Sequence, residues 1–309
     1  MGLMNSNIVA CAYHIVGYRC FQELISQGAL IELIFTHVDS PTEEIWFPSV
    51  EELAKQHGIP CLTTDINLPE NVERVRSIAP AFIFSFYYRN MISAEILSIP
   101  RLGALNLHGS YLPRYRGRVP VNWAVINGER ETGATLHYMV EKPDAGDIVD
   151  QERVEITFSD TARDVFGKVT EAAVAVIARA WPLLRDGTAP RIPMNLAEGN
   201  YCGGRKPDDG RIDWSKSAVQ IYNLIRGVTH PYPGAFSYLG GKKVTIWQAW
   251  PVEGSGEPGC ILSQNPLLAA TGQGALEIRS LQLEGGQESS AAEFITHHSA
   301  PITSFQENP

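Results

Sequence analysis

Short apolar runs alternate with longer amphipathic stretches over the first hundred residues. Ile8 to Tyr13 is apolar at every position, which predicts a strand buried on both faces. A helical stretch from Gly17 to about Gln27 follows, and then a second strand over 30–36. Ser49 opens a helix to about His57, with Glu52 three residues on to complete a capping box. A short strand near 59–62, a helix near 70–78, a strongly apolar strand from Ala81 to Phe86, a short helix near 93–98 and a strand from Ala104 to Leu107 continue the series. This alternation predicts an α/β chain, a Rossmann-like and mostly parallel sheet with helices on both faces. Ligands of such sheets sit beyond the carboxyl ends of the strands. His14, Thr36-His37, Tyr87-Tyr88-Arg89 and Asn106-Leu107-His108 are therefore expected on one rim.

The pattern then changes. Residues 133–156 read as two or three strands around a turn at Pro143-Asp144-Ala145-Gly146. The longest helix spans 160–185, with apolar residues at 162, 165, 166, 169, 173, 176, 177, 180 and 184. Ser159 or Asp160 is expected to cap its start and Gly187 its end. Residues 199–210 are rich in Gly, Pro and Asp, as a linker is. From about 230, short strands alternate with turns at Gly240-Gly241, Gly254-Ser255-Gly256 and Gly272-Gln273-Gly274, which predicts a small C-terminal β-barrel of OB-like type. The tail after Gly285 is polar and expected to be loose. The expected division is a catalytic domain over 1–198, a linker over 199–210 and a barrel domain over 211–309.

Composition narrows the function classes. With 309 residues, 44% hydrophobic and 19% charged, the chain is ordinary globular protein, which excludes fibrous and mostly disordered classes. No apolar run approaches the roughly 20 residues of a membrane helix, so no membrane span is expected. The first seven residues carry no basic region and no long apolar core, so no secretory leader is expected there. Met1-Gly2-x-x-x-Ser6 fits the myristoylation template, but a template this short is matched by chance. The net charge of −9, with 7 Lys and Arg against 10 Asp and Glu over 206–309, disfavours nucleic acid as a partner. Five cysteines without a CxxC pair argue against disulfides and structural zinc, and for a reducing cytoplasm. Between Tyr13 and Cys20 there is neither GxGxxG nor GxxxxGK[ST], so the layout does not imply NAD or ATP.

The candidate chemistry lies in three polar residues. Asn106 and His108 flank a leucine at the end of a buried strand, and Asp144 sits in the turn 36 residues after His108. A histidine moves protons near neutral pH, a carboxylate beside it favours its cation, and an asparagine amide donates to a carbonyl becoming an oxyanion. That set suits acyl transfer without a covalent enzyme intermediate. Ser110 lacks a GxSxG elbow, which disfavours a serine hydrolase. A metal on His108 with His14, His37 or Asp144 lacks HExxH-like spacing, so no metal is expected. The plain alternative is that Asn106 and His108 satisfy loop backbone groups.

Three blocks carry a resemblance. They are Leu105-Asn106-Leu107-His108-Gly109-Ser110-Tyr111-Leu112-Pro113-Arg114-Tyr115-Arg116-Gly117, then Glu131-Thr132-Gly133-Ala134-Thr135-Leu136-His137, then Asp144-Ala145-Gly146-Asp147. In this order and spacing the chain resembles the N10-formyltetrahydrofolate-dependent formyltransferase family over nearly its whole length. Phe84-Ser85-Phe86-Tyr87-Tyr88-Arg89, Gly117-Arg118-Val119-Pro120-Val121-Asn122-Trp123 and Pro231-Tyr232-Pro233-Gly234-Ala235-Phe236-Ser237-Tyr238 are similar to its sugar-nucleotide branch. The tRNA-formylating branch usually has a small residue where Arg118 stands.

The resemblance implies several expectations. His108 would be the acid/base, Asn106 the holder of the formyl oxygen, and Asp144 the carboxylate behind the histidine. The folate co-substrate would contact Asn90, Met91, Ile92, Arg118, Val140, Glu141, Lys142, Pro143 and Asp144. A sugar nucleotide would meet Arg114, Arg116, Arg205 and Lys206 through its diphosphate, with Tyr232 or Trp123 stacking a base. The implied reaction formylates the 4-amine of UDP-4-amino-4-deoxy-L-arabinose, as in lipid A modification and polymyxin resistance. Another amino-sugar nucleotide, such as a dTDP-linked one, and methionyl-tRNA are the alternatives. A sensor that kept the fold would need a broken catalytic set, whereas all three residues are present. A separate dehydrogenase/decarboxylase would act upstream, and self-association stays open.

Overall fold

The structure, a computed structural model, describes residues 6–41, 45–297 and 303–306. The start of the leader and myristoylation readings, residues 1–5, lies outside them. The chain forms two compact units, one of 1–120, 131–155 and 167–203, the other of 121–130, 156–166 and 204–309.

The strands up to residue 203 are β1 (Ile8–Ala12), β2 (Ile31–Phe35), β3 (Cys61–Leu62), β4 (Phe82–Phe86), β5 (Gly103–His108), β6 (Arg116–Gly117), β7 (Glu131–Tyr138), β8 (Ile148–Glu155) and β9 (Tyr201–Cys202). The helices are α1 (His14–Ser26), α2 (Val50–Gln56), α3 (Pro69–Ile78), α4 (Ala94–Leu97), α5 (Pro120–Ile126) and α6 (Ala162–Arg185). Seven strands form one sheet in the order β3-β2-β1-β4-β5-β7-β8, parallel through β5 and antiparallel at β7 and β8. The Rossmann-like expectation holds, with two antiparallel strands added at one edge.

Alternation along the strands explains the layers. Phe82 and Phe84 present their rings to Trp181 of α6, each pair at 6.2 Å. Ile83 points to the other face, where Val72 and Val75 of α3 and Ile96 of α4 close a second apolar cluster with Val9, Cys11 and Leu33. Ser49 caps α2 by accepting the Glu52 N–H at 3.3 Å. The cap of α6 differs from expectation. Thr161 takes that place, because its hydroxyl accepts the Asp164 N–H while Asp164 accepts the Thr161 N–H at 2.9 Å. Asp160 instead accepts the Thr157 N–H at 2.7 Å and closes the preceding turn. Gly187 ends the helix in a left-handed conformation, φ 70°, donating to the Leu184 carbonyl.

The second unit holds α7 (Ala218–Val228), β10 (Ala235–Leu239), β11 (Lys242–Val252), β12 (Ile261–Gln264), β13 (Leu267–Ala270), β14 (Ala275–Leu283), β15 (Ser289–Ser290) and α8 (Ala291–His297). Ser217 and Gln220 form a capping box for α7, a helix absent from the sequence-based expectation. Its Ile221, Ile225 and Val228 pack into a core with Val244, Ile246, Leu276 and Leu281. The strands form an antiparallel sheet in the order β10-β11-β14-β13-β12, with β15 beside β14.

The tail corrects the expectation of looseness over the described residues. Gln306 bridges to Tyr238 of β10, and Ser304 bridges to Cys260 just before β12. This short segment thus joins the two ends of the sheet and closes it. Phe305, 3% exposed, lies stacked on Trp214 at 5.3 Å and 10°. Phe305→Ala is expected to destabilise the protein by about 3–5 kcal/mol. A urea unfolding midpoint unchanged from wild type would show that the closure is idle.

Candidate active site

The site begins with strand geometry. Asn106 and His108 are two apart on β5, so both side chains leave the same face. β7 pairs antiparallel with β5 in a register that sets His137 opposite Asn106 and Thr135 opposite His108. Two of three expected residues and one unexpected histidine therefore share one patch. Asp144 arrives from the loop between β7 and β8, in a left-handed conformation with φ 50°. Gly146 follows it because a Cβ there would stand 2.0 Å from the Tyr138 carbonyl oxygen.

Asp144 is the hub. Its Oδ1 accepts the Asn106 amide at 3.3 Å and lies 3.6 Å from His108 Nδ1 and 3.4 Å from His137 Nε2. Its Oδ2 accepts the Gly117 N–H at 2.9 Å. Burial acts to raise the Asp144 pKa, but the His108 charge, the His137 bond and charge, and the Gly117 N–H together hold it well below the usual carboxylate range. The carboxylate is ionised throughout the neutral range.

The two imidazoles are fixed from behind. His108, 6% exposed, points Nε2 at the Tyr115 carbonyl at 2.8 Å. A carbonyl only accepts, so Nε2 carries a proton, and Asp144 faces the other nitrogen. His137, 1% exposed, likewise donates Nδ1–H to the Tyr138 carbonyl at 2.9 Å. Its Nε2 lies 3.3 Å from the Asn106 amide nitrogen, so a neutral His137 accepts from Asn106 and a cationic one donates to Asp144. Such a patch holds an amide donor and a proton-moving imidazole against a fixed negative charge.

His137 was missed as a site residue by sequence reasoning, although it stands in a quoted block. Its signal is the two-residue spacing from Thr135 along a strand, and its use depends on a register that no local pattern states. The Tyr115 carbonyl and Gly117 N–H are backbone groups and leave no side-chain signature. Both lie in the loop braced by β6 on β9, where Asn200 accepts the Tyr115 N–H at 2.6 Å.

The expected rim also assembles. His37 stacks on Tyr88 at 4.4 Å, and its Nε2 accepts the Arg89 N–H at 3.0 Å. Tyr87 stacks near His14 at 6.5 Å, and its hydroxyl fills the space where Gly109 lacks a side chain. His14, Tyr87, Tyr115, Val119 and Asp144 all hold left-handed φ values of 47–65°. Such conformations cost about 1–3 kcal/mol each and gather at functional sites.

The expected folate residues flank this rim. The Asn67 amide donates to the Met91 carbonyl at 2.8 Å, and Ile92 and Met139 pack against the same apolar cluster. Asn90 bonds the Tyr88 hydroxyl. Met91, Val140, Glu141 and Lys142 are exposed, Pro143 is half-buried, and Arg118 is exposed with its N–H donating to the Cys202 carbonyl. Of the expected diphosphate cations, Arg114 is exposed, while Arg116 is buried with its Nε lacking a hydrogen-bond partner. Arg205 and Lys206 belong to the second unit. There Arg205 lies over the Trp123 ring at 4.7 Å and donates to the Asp209 carbonyl, and the Lys206 N–H donates to the Asp209 carboxylate. Tyr232 is also in that unit, and burial pushes its hydroxyl pKa up to about 12.

Two family models match this chain. One, described as formyl transferase, covers residues 48–181, and one described as formyl transferase, C-terminal domain, covers residues 205–299. The chain belongs to the formyl transferase family and is a formyltransferase. It is similar in fold to an N-formyltransferase from Helicobacter canadensis in complex with folinic acid and dTDP-3-aminofucose. That match has 16% identity and a TM-score of 0.70, over 92% of this chain and 99% of the other. A sugar N-formyltransferase from a Shewanella species matches with 18% identity and a TM-score of 0.63, over 78% and 96%. HypX from Aquifex aeolicus, in complex with tetrahydrofolic acid, matches with 18% identity and a TM-score of 0.64. That match covers 97% of this chain and 51% of the longer HypX chain.

Proposed function

We propose that the protein transfers a formyl group from N10-formyltetrahydrofolate to the 4-amine of a sugar nucleotide, UDP-4-amino-4-deoxy-L-arabinose. The observation that carries formyl transfer is Asn106, His108 and Asp144 meeting within 3.6 Å on one strand end. The sugar-nucleotide choice draws on the sequence blocks around Arg89, Arg118 and Tyr232. An acidic C-terminal region, 7 Lys and Arg against 10 Asp and Glu, speaks against methionyl-tRNA.

In this reading the neutral amine attacks the formyl carbon. The new C–N bond forms, the bond from carbon to N10 breaks, and one proton passes from the amine to N10. The Asn106 amide donates to the formyl oxygen as that oxygen gains charge. His108 moves the proton, with its ring aimed by the Tyr115 carbonyl and its Nδ1 3.6 Å from the Asp144 carboxylate. Nothing is oxidised or reduced. The folate lies along the 90–92 and 140–143 loops.

A dTDP-linked amino sugar is the second reading, because the Helicobacter canadensis relative was crystallised with dTDP-3-aminofucose. A panel of UDP-4-amino-4-deoxy-L-arabinose, dTDP-amino-hexoses and methionyl-tRNA with the formyl donor, followed by mass, decides. A mass gain of one formyl group on the UDP sugar is the expected result. Formylation of methionyl-tRNA alone would overturn it.

A further inference from the structure

Strand β8 is the last strand of the seven-stranded sheet, so one of its edges has no strand beside it. A free edge is a template for strand addition. We propose that this edge pairs with β8 of a second copy of the chain, antiparallel and centred on Val154. This pairing is independent of which amine is formylated.

The backbone shows where the edge is open. The Ile156 N–H donates to the Arg130 carbonyl at 2.9 Å, so by alternation Val154 and Glu152 also face β7. The N–H and C=O groups of Gln151, Arg153 and Glu155 therefore point outward. The first half of the edge is closed. Ile148 bridges to Ile192, the Gln151 N–H donates to Asp150 Oδ1 at 2.8 Å, and the Gln151 carbonyl accepts from Arg179 at 3.4 Å. The second half is not. Among the described residues, both outward groups of Arg153 and the Glu155 N–H have no hydrogen-bond partner. The Glu155 carbonyl holds Lys168 Nζ at 3.4 Å, which leaves its second lone pair.

Charge sets the partner and the register. Glu155 stands directly opposite Glu131 across the β7–β8 ladder, a placement in which like charges repel. Among the described residues no cation pairs with the Glu155 carboxylate. Arg153 lies two residues earlier on the same face, reaches Glu131 at 2.6 Å and keeps 59% of its side chain exposed. In a pairing centred on Val154, Arg153 of each copy lies directly opposite Glu155 of the other. The same two residues exchange both N–H···O bonds, twice by symmetry, and so use the groups that the single chain leaves open. Centring on Arg153 or on Glu152 instead would set like charges against each other.

Side-chain space agrees. Val154 meets its own copy at the symmetry axis. A groove of about 480 Å³ opens along this edge and is lined by Val154 and by Ala172 and Ala175 of α6. The short alanine side chains leave room there for the second valine.

Sedimentation equilibrium of the full chain over a concentration series is expected to show a mass rising from one chain toward two. Arg153→Glu and Glu155→Arg, both at exposed positions, are each expected to weaken self-association at least tenfold. An equimolar mixture of the two variants should associate again, because every cross-strand pair between them is Glu with Arg. Amide hydrogen exchange should show the Arg153 and Glu155 N–H groups protected in the wild-type dimer and unprotected in either variant alone. Three results would each overturn the pairing. They are a wild type that stays one chain at every concentration, a dimer whose Arg153 and Glu155 amides exchange freely, and folded variants whose mixture associates no better than either alone.

Discussion

His108→Ala is expected to lose at least two orders of magnitude in kcat while the KM for the formyl donor stays within about threefold. General acid–base help is typically worth about 10²–10⁴-fold. Holding the two substrates together contributes at least as much, since effective molarities can reach ~10⁵ M, and that part survives the substitution. The loss should therefore fall short of abolition. The Tyr115 carbonyl and Asp144 lose their partner, yet the expected folate loops at 90–92 and 140–143 do not depend on the imidazole. Full turnover in a folded His108→Ala protein would remove this residue from the mechanism.

Asp144→Asn is expected to lower kcat by about 10²–10⁴ and to weaken the fold at neutral pH. The carboxylate accepts from Asn106 and from the Gly117 N–H and faces two imidazoles, whereas an amide presents N–H groups to some of those donors. The pH dependence has a definite sign. Its pKa in the folded protein lies below the value near ~3.9 of an unfolded chain. Its contribution to stability is thus fully present above that value and is lost as pH falls toward the folded value. The stability gap between wild type and Asp144→Asn should narrow below about pH 4. Urea unfolding at pH 7 and pH 3.5 measures it. A gap that instead closed between pH 8 and 6 would place the titration on another group.

Much of this site was legible in the sequence because its signals are local. The strand carrying Asn106 and His108 shows itself by an apolar run bounded by turns, and the two-residue period puts both side chains on one face. The turn at Asp144-Ala145-Gly146 shows itself by composition, and the structure adds why its glycine is needed: the Tyr138 carbonyl stands where a Cβ would be. The cap of α6 was misplaced by one residue because Ser159, Asp160 and Thr161 are all good caps. Which of them acts depends on where Asp164 reaches back.

The remainder needed long-range pairing. His137 joins the site only through the β5–β7 register, and a slip of one residue would turn its side chain to the other face of the sheet. The last described residues read as a polar tail, yet Phe305 packs on Trp214 of the same unit and the backbone around it closes a sheet. The sequence by itself determined the alternation of elements, the class of sheet and the residues able to move a proton and hold an oxyanion. Those follow from side-chain chemistry and from periods of two and 3.6 residues, which act over a few neighbours. Tertiary structure alone decided which groups face Asp144, how backbone carbonyls aim the imidazoles, and which strand edge stays open. Those depend on contacts between segments far apart in the chain, which a local pattern cannot encode.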